Sequence, residues 1–366
     1  MANPTPAASA TETRKSRHLD ICLEDDVASG LDAGFGNVRL RHEALPECAL
    51  ADVETAVSFF GRRLKAPLLI SSMTGGNERS RTINANLALA AERAGVALGL
   101  GSQRAALENP ATLSSYRIRK HAPNVLLFAN IGAVQFNYGV TLDDARRIVE
   151  SVSADGLILH FNPLQEALQL GGDTDFTGLL PRIERLCHTL DAPVIAKSVG
   201  SGISVRTAAR LLDAGVAAID VAGAGGTSWA RVEGRRSDDR ERETLAETFG
   251  AWGYPTAEAT AALRAAFPQA TIVASGGIRS GVDVAKALAL GANLAGAALP
   301  FLQAATRSAE AVETKLETMV SGLRIALFAS GCRRPADLPS ALYERGSEAT
   351  DNVPSSTRTS NASTDV

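Results

Sequence analysis

Eight short apolar runs, each followed by a helical pattern, constrain the fold of this chain more than any other feature of its sequence. The runs are almost continuously apolar and partly β-branched, as expected for strands buried on both faces. Strands that alternate with helices predict a parallel sheet. The runs are Pro67–Ser71, Val96–Gly101, Val125–Asn130, Gly156–Phe161, Pro193–Lys197, Ala217–Val221, Thr271–Ser275 and Asn293–Ala298.

Eight such units predict an α/β protein with a single (β/α)₈ TIM barrel. The segments between the runs have a period of 3.6 residues, and Ser204–Gly215 shows it well, with a serine start, an apolar stripe and a glycine stop. The alternative is an open, doubly wound sheet. The barrel is favoured because glycines follow strands all round the pattern rather than only after the first strand.

The predicted domain covers residues 14–343, and residues 14–66 form an N-terminal extension packed on the barrel. Residues 1–13 and 344–366 are polar and contain few large apolar side chains. Such segments bury too little surface to offset the entropy of ordering, so we expect two disordered tails. A charged insertion, residues 230–254, follows the sixth run.

Composition excludes several classes of protein. Lys and Arg number 37 against 40 Asp and Glu, a net charge of −3 that gives no electrostatic footprint for nucleic acid or membrane. The cysteines, Cys22, Cys48, Cys187 and Cys332, show no CxxC spacing, so neither a zinc site nor a dithiol motif is indicated. With no signal-peptide or membrane-spanning pattern either, we expect a soluble cytoplasmic protein.

The fourth run carries the densest cluster of chemically active side chains. His160 and Asn162 alternate along an extended strand and therefore face the same side, with Gln165 and Glu166 close behind. Polar groups in an apolar strand need partners. At a barrel mouth the whole cluster favours a functional site, although a single core histidine is usually structural. Glu166 is suited to Mg²⁺, which takes one or two carboxylates together with phosphate oxygens.

Two cations follow other runs. Lys197 ends the fifth run, where a buried lysine needs a negative partner or a depressed pKa. A reduced flavin is one such partner, and a buried structural ion pair is the alternative. Arg104 follows the second run and would suit bidentate phosphate binding at the mouth, with a surface ion pair as the alternative.

Glycine-rich turns follow several runs and predict a phosphorylated ligand. The turn at 223–229 reads GAGGTSW, and the turn at 275–281 reads SGGIRSG and opens the helical segment VDVAKALALGA. In barrels, the loops after strands seven and eight commonly bind phosphate, with helix N-termini directed at the anion. The residues SSMTGG after the first run add close backbone approach and the Thr74 hydroxyl.

At these residues the sequence resembles the type 2 isopentenyl diphosphate isomerases, which are FMN-dependent enzymes of terpenoid precursor synthesis. The resemblance runs from about Arg14 to Cys332. HFNPLQE together with GGTSW is specific to this family, whereas SGGI…AKALALGA is shared more widely among FMN and phosphate barrels. Its motifs are RKSRH, HEALPE, SSMTGG, GSQR, ANIGA, HFNPLQE, GGTSW, FGAWGYPT and SGGIRSG.

The resemblance implies roles for individual residues. Flavin contacts are implied for Met73, Thr74, Ser102, Asn130, Lys197 and Thr227, and contacts to its phosphate side for Gly276, Gly277, Ala297 and Ala298. The substrate diphosphate is assigned to Arg14, Lys15, His18, Arg104, His160 and Asn162, with Glu166 on Mg²⁺, Gln165 near the reacting carbons and Trp229 in the pocket wall. The predicted catalytic residues are Gln165, His160 and Lys197.

The implied reaction converts isopentenyl diphosphate to dimethylallyl diphosphate by a 1,3-proton shift, without net redox change. We hypothesise that reduced FMN itself shuttles the proton through N5, with NADPH needed only to reduce the flavin. The family also implies a homo-oligomer, either a tetramer or an octamer. Ser198 stands where relatives often carry an acid, so that carboxylate is missing beside Lys197.

Three alternatives stay open: two other enzymes of the FMN and phosphate barrels, and a non-catalytic flavin-binding protein. A 2-hydroxy-acid oxidase would place a general-base histidine before a Gly-Gly pair, and GAGGTSW has none. An inosine-monophosphate dehydrogenase relative would need a loop cysteine at the mouth, and neither Cys187 nor Cys332 is placed for it. A non-catalytic flavin-binding protein would not need HFNPLQE, and it would bind FMN without converting isopentenyl diphosphate.

Overall fold

Eight parallel strands close into a barrel in the computed structural model, which describes residues 10–343. Each strand pairs with the next along the chain, and the last returns to the first. The eight predicted runs are therefore confirmed as the barrel strands, and the open doubly wound sheet is wrong. The strands are β1 (Val57–Phe59), β2 (Arg62–Leu64), and the barrel strands β3 (Leu68–Ile70), β4 (Ala97–Gly99), β5 (Leu127–Gly132), β6 (Gly156–Phe161), β7 (Val194–Ser198), β8 (Ala218–Asp220), β9 (Ile272–Ser275) and β10 (Leu294–Ala297).

Helices cover the outside of the barrel, and side-chain caps define where several of them begin. The helix predicted at 204–215 is confirmed, since the Ser204 hydroxyl accepts the Thr207 amide and Gly215 follows with a φ of 88°. Across residues 10–343 no helix has the length and apolar character needed to cross a bilayer. The helices are α1 (Ala10–Glu24), α2 (Glu78–Ala94), α3 (Arg104–Glu108), α4 (Leu142–Ser151), α5 (Pro163–Leu168), α6 (Leu179–Thr189), α7 (Val205–Asp213), α8 (Trp229–Arg236), α9 (Arg240–Thr248), α10 (Thr256–Ala266), α11 (Gly281–Ala289), α12 (Leu299–Ala305) and α13 (Ala309–Ala329).

The N-terminal extension contacts both ends of the barrel. The antiparallel hairpin β1–β2 closes the amino end, where Phe59 and Leu64 pack against the apolar interior. Helix α1 covers the carboxyl end and packs on α8, α3 and α12. The charged insertion at 230–254 contains most of α8 and all of α9.

One predicted boundary is wrong. Residues 10–13 belong to α1 rather than to a disordered tail, and Thr11 is buried against the cavity described below. The sequence did not predict this burial, because the segment is polar and has no apolar face. Thr11 is buried where α1 lines the cavity. Residues 1–9 and 344–366 lie outside the described residues, so their disorder stays a prediction.

Two layers of inward-facing side chains fill the barrel. The lower layer is apolar and includes Phe128, Ile158 and Ile195. Strand side chains alternate, so the residue two positions further along each strand also faces inward. At these positions the side chains are polar, or absent where the residue is glycine. This upper set, which we call the polar layer, consists of Ser71, Gly99, Asn130, His160, Lys197, Asp220, Ser275 and Gly296.

Candidate active site

A cavity of about 520 Å³ lies above the polar layer, between the strand ends and α1. Every site residue predicted from the sequence lines it, so the structure brings the predicted set together while their individual roles stay predictions. From the extension and first strands come Arg14, Lys15, His18, Met73, Thr74, Ser102, Arg104 and Asn130. From the remaining strands come His160, Asn162, Gln165, Glu166, Lys197, Thr227, Trp229, Gly276, Gly277, Ala297 and Ala298.

Positive side chains crowd one side of this cavity. Burial lowers the pKa of Arg14, and the nearby Arg104 lowers it further. Burial, together with Arg14 and Arg104, also lowers the pKa of Lys15 to about 7. Like charges held together in a partly buried cavity favour an anionic ligand, since each is stabilised when the anion binds. The cluster therefore suits a diphosphate.

Lys15 connects α1 to the segment after β4. Its Nζ donates to the Tyr116 hydroxyl at 2.7 Å and to the Ser102 carbonyl, and it lies 5.4 Å from the centre of the Tyr116 ring. The Tyr116 hydroxyl also donates to the Ser102 carbonyl, at 2.8 Å. These bonds hold the amino half of α1 over the cavity, so the lysine predicted to hold diphosphate also anchors the covering helix.

Arg104 forms ion pairs as well as lining the cavity. Its Nε lies 2.7 Å from Glu108 Oε1, and one terminal nitrogen donates to Asp173. The sequence left two roles open for Arg104, phosphate binding or an ion pair. The structure shows ion pairs that fix its guanidinium at the mouth. Asp173 was not predicted, because it lies 69 residues further along the chain.

His160 is a neutral imidazole in this environment. Its Nδ1 lies 2.9 Å from Asn130 Oδ1 on the neighbouring strand. Burial lowers the pKa of His160 to about 3, and Lys197 and Lys15 contribute to the decrease. A neutral ring bonded to the amide oxygen through Nδ1–H presents Nε2 as an acceptor, so His160 is poised to gain charge when an anion offsets the lysines.

Glu166 is held by donors on both carboxylate oxygens. Oε1 accepts from Asn162 Nδ2 at 2.8 Å, and Oε2 accepts from Gln169 Nε2 at 3.1 Å and from the Asp173 amide at 2.8 Å. Across residues 10–343 no group of three or more His, Cys, Asp or Glu side chains could hold a metal ion. Within residues 10–343, the buried Asn162 Oδ1 beside Glu166 has no hydrogen-bond partner. These oxygens fit a cation that arrives with a diphosphate, not a fully protein-bound ion.

Glu233 holds several side chains of the opposite cavity wall in place, and the sequence did not predict it as a site residue. Its Oε1 accepts from Gln165 Nε2 and lies near His18 Nε2, both at 3.0 Å, and its Oε2 accepts from Arg236 at 2.8 Å. Burial would raise the pKa of Glu233, but these partners lower it to about 2. The available signal was its position one helical turn after Trp229, on the same face of α8.

The glycine-rich turns approach one another closely. Gly276 has a φ of 103°, and a Cβ there would lie 2.2 Å from the Gly223 carbonyl oxygen. Thr256, which was also missed, donates to the Gly276 carbonyl at 2.7 Å. Only glycine combines this backbone angle with such an approach.

The predicted phosphate role of the α11 N-terminus stays a prediction. A capping box stands at the N-terminus of α11. The Asp283 carboxylate accepts hydrogen bonds from the Ser280 and Arg279 amides, and the Ser280 hydroxyl accepts one from the Asp283 amide. These bonds occupy the Arg279, Ser280 and Asp283 amides, and the Asp283 carboxylate adds negative charge to this first turn. The cavity-lining residues at this edge are Gly276, Gly277, Ala297 and Ala298, together with Arg279, which the sequence analysis did not single out.

The cavity fits a phosphorylated flavin. Ser71 Oγ in the polar layer is buried and has no hydrogen-bond partner among the described residues, which is the condition of a group awaiting a ligand. Lys197 lies beneath the same cavity with a pKa lowered by burial, and a nearby anion would stabilise its charge. The glycine turns supply close backbone approach on one side.

Comparison with known proteins agrees with these features. A family model for FMN-dependent dehydrogenases matches residues 167–345. Solved structures of (S)-mandelate dehydrogenase (15% identity, TM-score 0.65, 91% of this chain and 97% of that one) and of mandelate oxidase with 3,3-difluoro-2-hydroxy-3-phenylpropionic acid (20%, 0.60, 91% and 96%) share the fold. At these identities the likeness concerns the fold alone.

Curated relatives are much closer in sequence. The isopentenyl-diphosphate delta-isomerase of Nostoc sp. is 50% identical over 333 residues, which cover 90% of this chain and 95% of that protein. The enzyme of the same name from Stutzerimonas stutzeri is 52% identical over 331 residues, covering 90% and 96%. Identity of this extent confirms the resemblance carried by HFNPLQE and GGTSW, and the chain belongs to the isopentenyl-diphosphate delta-isomerase family.

Proposed function

We propose that this protein interconverts isopentenyl diphosphate and dimethylallyl diphosphate with FMN bound in the barrel mouth. The observation that carries the proposal is that one cavity joins a partly buried cationic cluster to a glycine-lined pocket above Lys197, which would hold the flavin. The relatives' name supports the reaction, and the matching FMN-dependent family model supports the cofactor.

The chain's own residues would bind and orient the substrate. Arg14, Lys15 and Arg104 hold the diphosphate, so binding energy remote from the reacting carbons positions the double bond. Gln165, fixed by Glu233, occupies the wall beside the hydrocarbon part. Reduced FMN, when bound, would supply the group that exchanges a proton with the substrate, at N5 in our hypothesis. Helix α1 covers the mouth and limits access of water.

A reconstitution experiment tests the proposal. The purified protein is loaded with FMN and Mg²⁺, reduced anaerobically with NADPH or dithionite, and given isopentenyl diphosphate, and the products are followed by NMR. We expect dimethylallyl diphosphate only from the reduced sample. Absence of product under both conditions contradicts the proposal, and flavin reduction by a 2-hydroxy acid such as mandelate favours the oxidase alternative.

Diphosphate binding should take up a proton through Lys15. The pKa of Lys15 is lowered to about 7 in the free protein, and a bound anion raises it. At pH 8 we therefore expect an uptake of up to about one proton per site, with binding weakening as pH rises above 7. Calorimetry in buffers of different ionisation enthalpy measures the uptake.

The variants for this prediction separate Lys15 from the ligand's own protonation. Lys15→Met should remove the uptake assigned to the protein, whereas Lys120→Met, at an exposed lysine that does not line the cavity, should leave it unchanged. Equal uptake by the parent protein and Lys15→Met would show that another group takes the proton.

We propose that Mg²⁺ binds between Glu166 and the diphosphate. Because the described part of the chain offers here one carboxylate and the unbonded Asn162 Oδ1, we expect weak Mg²⁺ binding alone and strong binding when diphosphate is present. Glu166→Gln should raise the Mg²⁺ concentration for half-maximal activity at least about tenfold. The exposed Glu184→Gln is the control, and an unchanged Mg²⁺ dependence in Glu166→Gln would contradict the assignment.

The remaining expectations are also proposals. NADPH would serve as the reductant of the flavin. The cysteines at 22, 48, 187 and 332 are all free, which suits a cytoplasmic protein. A homo-oligomer is expected from the family, and Trp252 and Tyr254 are exposed aromatic side chains available for subunit contact. Sedimentation analysis measures the number of subunits.

A further inference from the structure

Asp220 is a buried carboxylate that the predicted site did not include. It ends β8 and is completely buried. Its Oδ1 accepts from Ser275 Oγ at 2.6 Å and from the Ala222 amide at 3.3 Å. Its Oδ2 is buried and has no hydrogen-bond partner among the described residues. An ionisable group is rarely buried in this way unless a charge compensates it.

The compensating charge is Lys197 on the neighbouring strand. Lys197 and Asp220 are register partners in the parallel pair β7–β8, and both side chains belong to the inward-facing polar layer. Burial lowers the pKa of Lys197, and Asp220 acts in the opposite direction. Burial raises the pKa of Asp220, and Lys197 again opposes it. Each group therefore stabilises the charge of the other.

The two partners differ in their relation to the cavity. Lys197 lines it, whereas Asp220 is not among the lining residues that the structure describes. Asp220 can thus affect a bound ligand mainly through Lys197. The Lys197 Nζ donates to the Ser198 carbonyl at 2.8 Å, which holds the ammonium near the strand end. Among the described residues, His160 on β6 also interacts with Lys197, and the pKa of His160 is lowered to about 3, so it is neutral.

We propose that Asp220, fixed by Ser275, is a positioning residue that keeps Lys197 charged and directed towards the flavin. This inference rests on the proposed FMN binding. Reduced flavin carries negative charge near N1, so a charged lysine beneath it favours the reduced over the oxidised form. Ser198, which follows Lys197, carries no charge, and its side chain lies on the outer face of β7, against a separate cavity. The acidic partner of Lys197 in this chain is therefore Asp220.

Asp220→Asn is the sharpest variant, because the amide oxygen can keep both bonds made by Oδ1 while the charge is removed. In the FMN-loaded protein we measure the flavin reduction potential between pH 6 and 9. We expect the preference for reduced FMN to fall about tenfold at pH 8, equivalent to about 30 mV, and to recover as the pH is lowered and Lys197 regains its proton. Ser275→Ala should shift it less in the same direction, and provides a second test if Asp220→Asn folds poorly.

A double-mutant cycle identifies the route of the effect. If Asp220 acts through Lys197, adding Asp220→Asn to Lys197→Met changes the potential no further. A direct effect of the carboxylate on the flavin has the opposite sign, favours reduced FMN in Asp220→Asn and persists in the Lys197→Met background. That result, or an unchanged potential in folded, FMN-loaded Asp220→Asn, overturns the inference.

A measurement before FMN is added separates this inference from the proposed function. Competitive acetylation, read by mass spectrometry of the peptide containing Lys197, gives the pH at which this lysine loses its proton. We expect that pH to be lower in Asp220→Asn than in the parent protein, and an equal value overturns the coupling. If the coupling is present but the protein binds no FMN, the proposed function and the flavin part of the inference are both wrong, while the charge pairing stands.

Discussion

Glu233→Gln is expected to lower kcat by about a thousandfold while FMN remains bound, since loss of a positioned polar group at an active site commonly costs this much. Glu233 accepts from Gln165 and Arg236 and lies 3.0 Å from His18. A glutamine has one acceptor oxygen, so its amide group must face at least one of these donors. Because the Arg236 guanidinium stays charged, we expect the remaining oxygen to face it and the amide nitrogen to face Gln165 and His18, which then lose their fixed positions at the two sides of the substrate site.

The control for this variant is Glu243→Gln, which alters an exposed carboxylate paired with Arg235 on the same insertion. We expect less than about a twofold change there, because exposed ion pairs contribute little. Activity assays, FMN content and thermal unfolding are measured together. If Glu233→Gln retains kcat within a fewfold of the parent protein, Glu233 is a structural residue and Gln165 does not depend on it.

The stability of the parent protein carries a related pH signature. The pKa of Glu233 is depressed to about 2 by its partners, so its contribution is present above the unfolded value and is lost as pH falls towards 2. Removing one partner of a buried ionic network costs about 3–5 kcal/mol. A loss of stability in Glu233→Gln without loss of kcat would again favour the structural role.

The fold was predictable because its strands are buried on both faces. A continuous apolar run is visible in the sequence without knowledge of its neighbours, and all eight runs became barrel strands. Side-chain alternation then places His160 and Lys197 in the same polar layer from local sequence alone. The carboxyl-end rule for barrels brings such residues into one cavity. These inferences needed only periods of two and 3.6 residues.

Partners across the chain were not predictable from these periods. Asp173 pairs with Arg104 over 69 residues, and Glu233 meets Gln165 over 68 residues. No local pattern distinguishes such a carboxylate from one on a solvated helix face. The start of α1 was not predicted either, since Thr11 is buried where the helix lines the cavity and no apolar stripe marks it in the sequence. The capping box of α11, by contrast, could have been predicted locally, because Ser280 and Asp283 stand three residues apart at the start of the helix.

Gly276→Ala is expected to weaken FMN binding by at least about a hundredfold, because the turn it belongs to has no room for a side chain. An added Cβ would lie 2.2 Å from the Gly223 oxygen and 2.8 Å from the Gly223 nitrogen, both of which are backbone atoms. The two glycine-rich turns must therefore separate, and the cavity edge formed by Gly276 and Gly277 moves. Flavin fluorescence titration measures the affinity, and thermal unfolding reports the accompanying strain.

A matched glycine separates backbone strain from loss of space. Gly139 has a φ of 92°, close to the 103° of Gly276, but an added Cβ there meets nothing within 4 Å. Gly139→Ala should therefore cost only the strain of the backbone angle, about 1–3 kcal/mol, and leave FMN affinity unchanged. If both variants lose stability equally and both bind FMN like the parent protein, close contact at Gly276 does not shape the flavin site. If Gly276→Ala alone loses FMN, the contact between the two turns is what holds the cofactor edge in place.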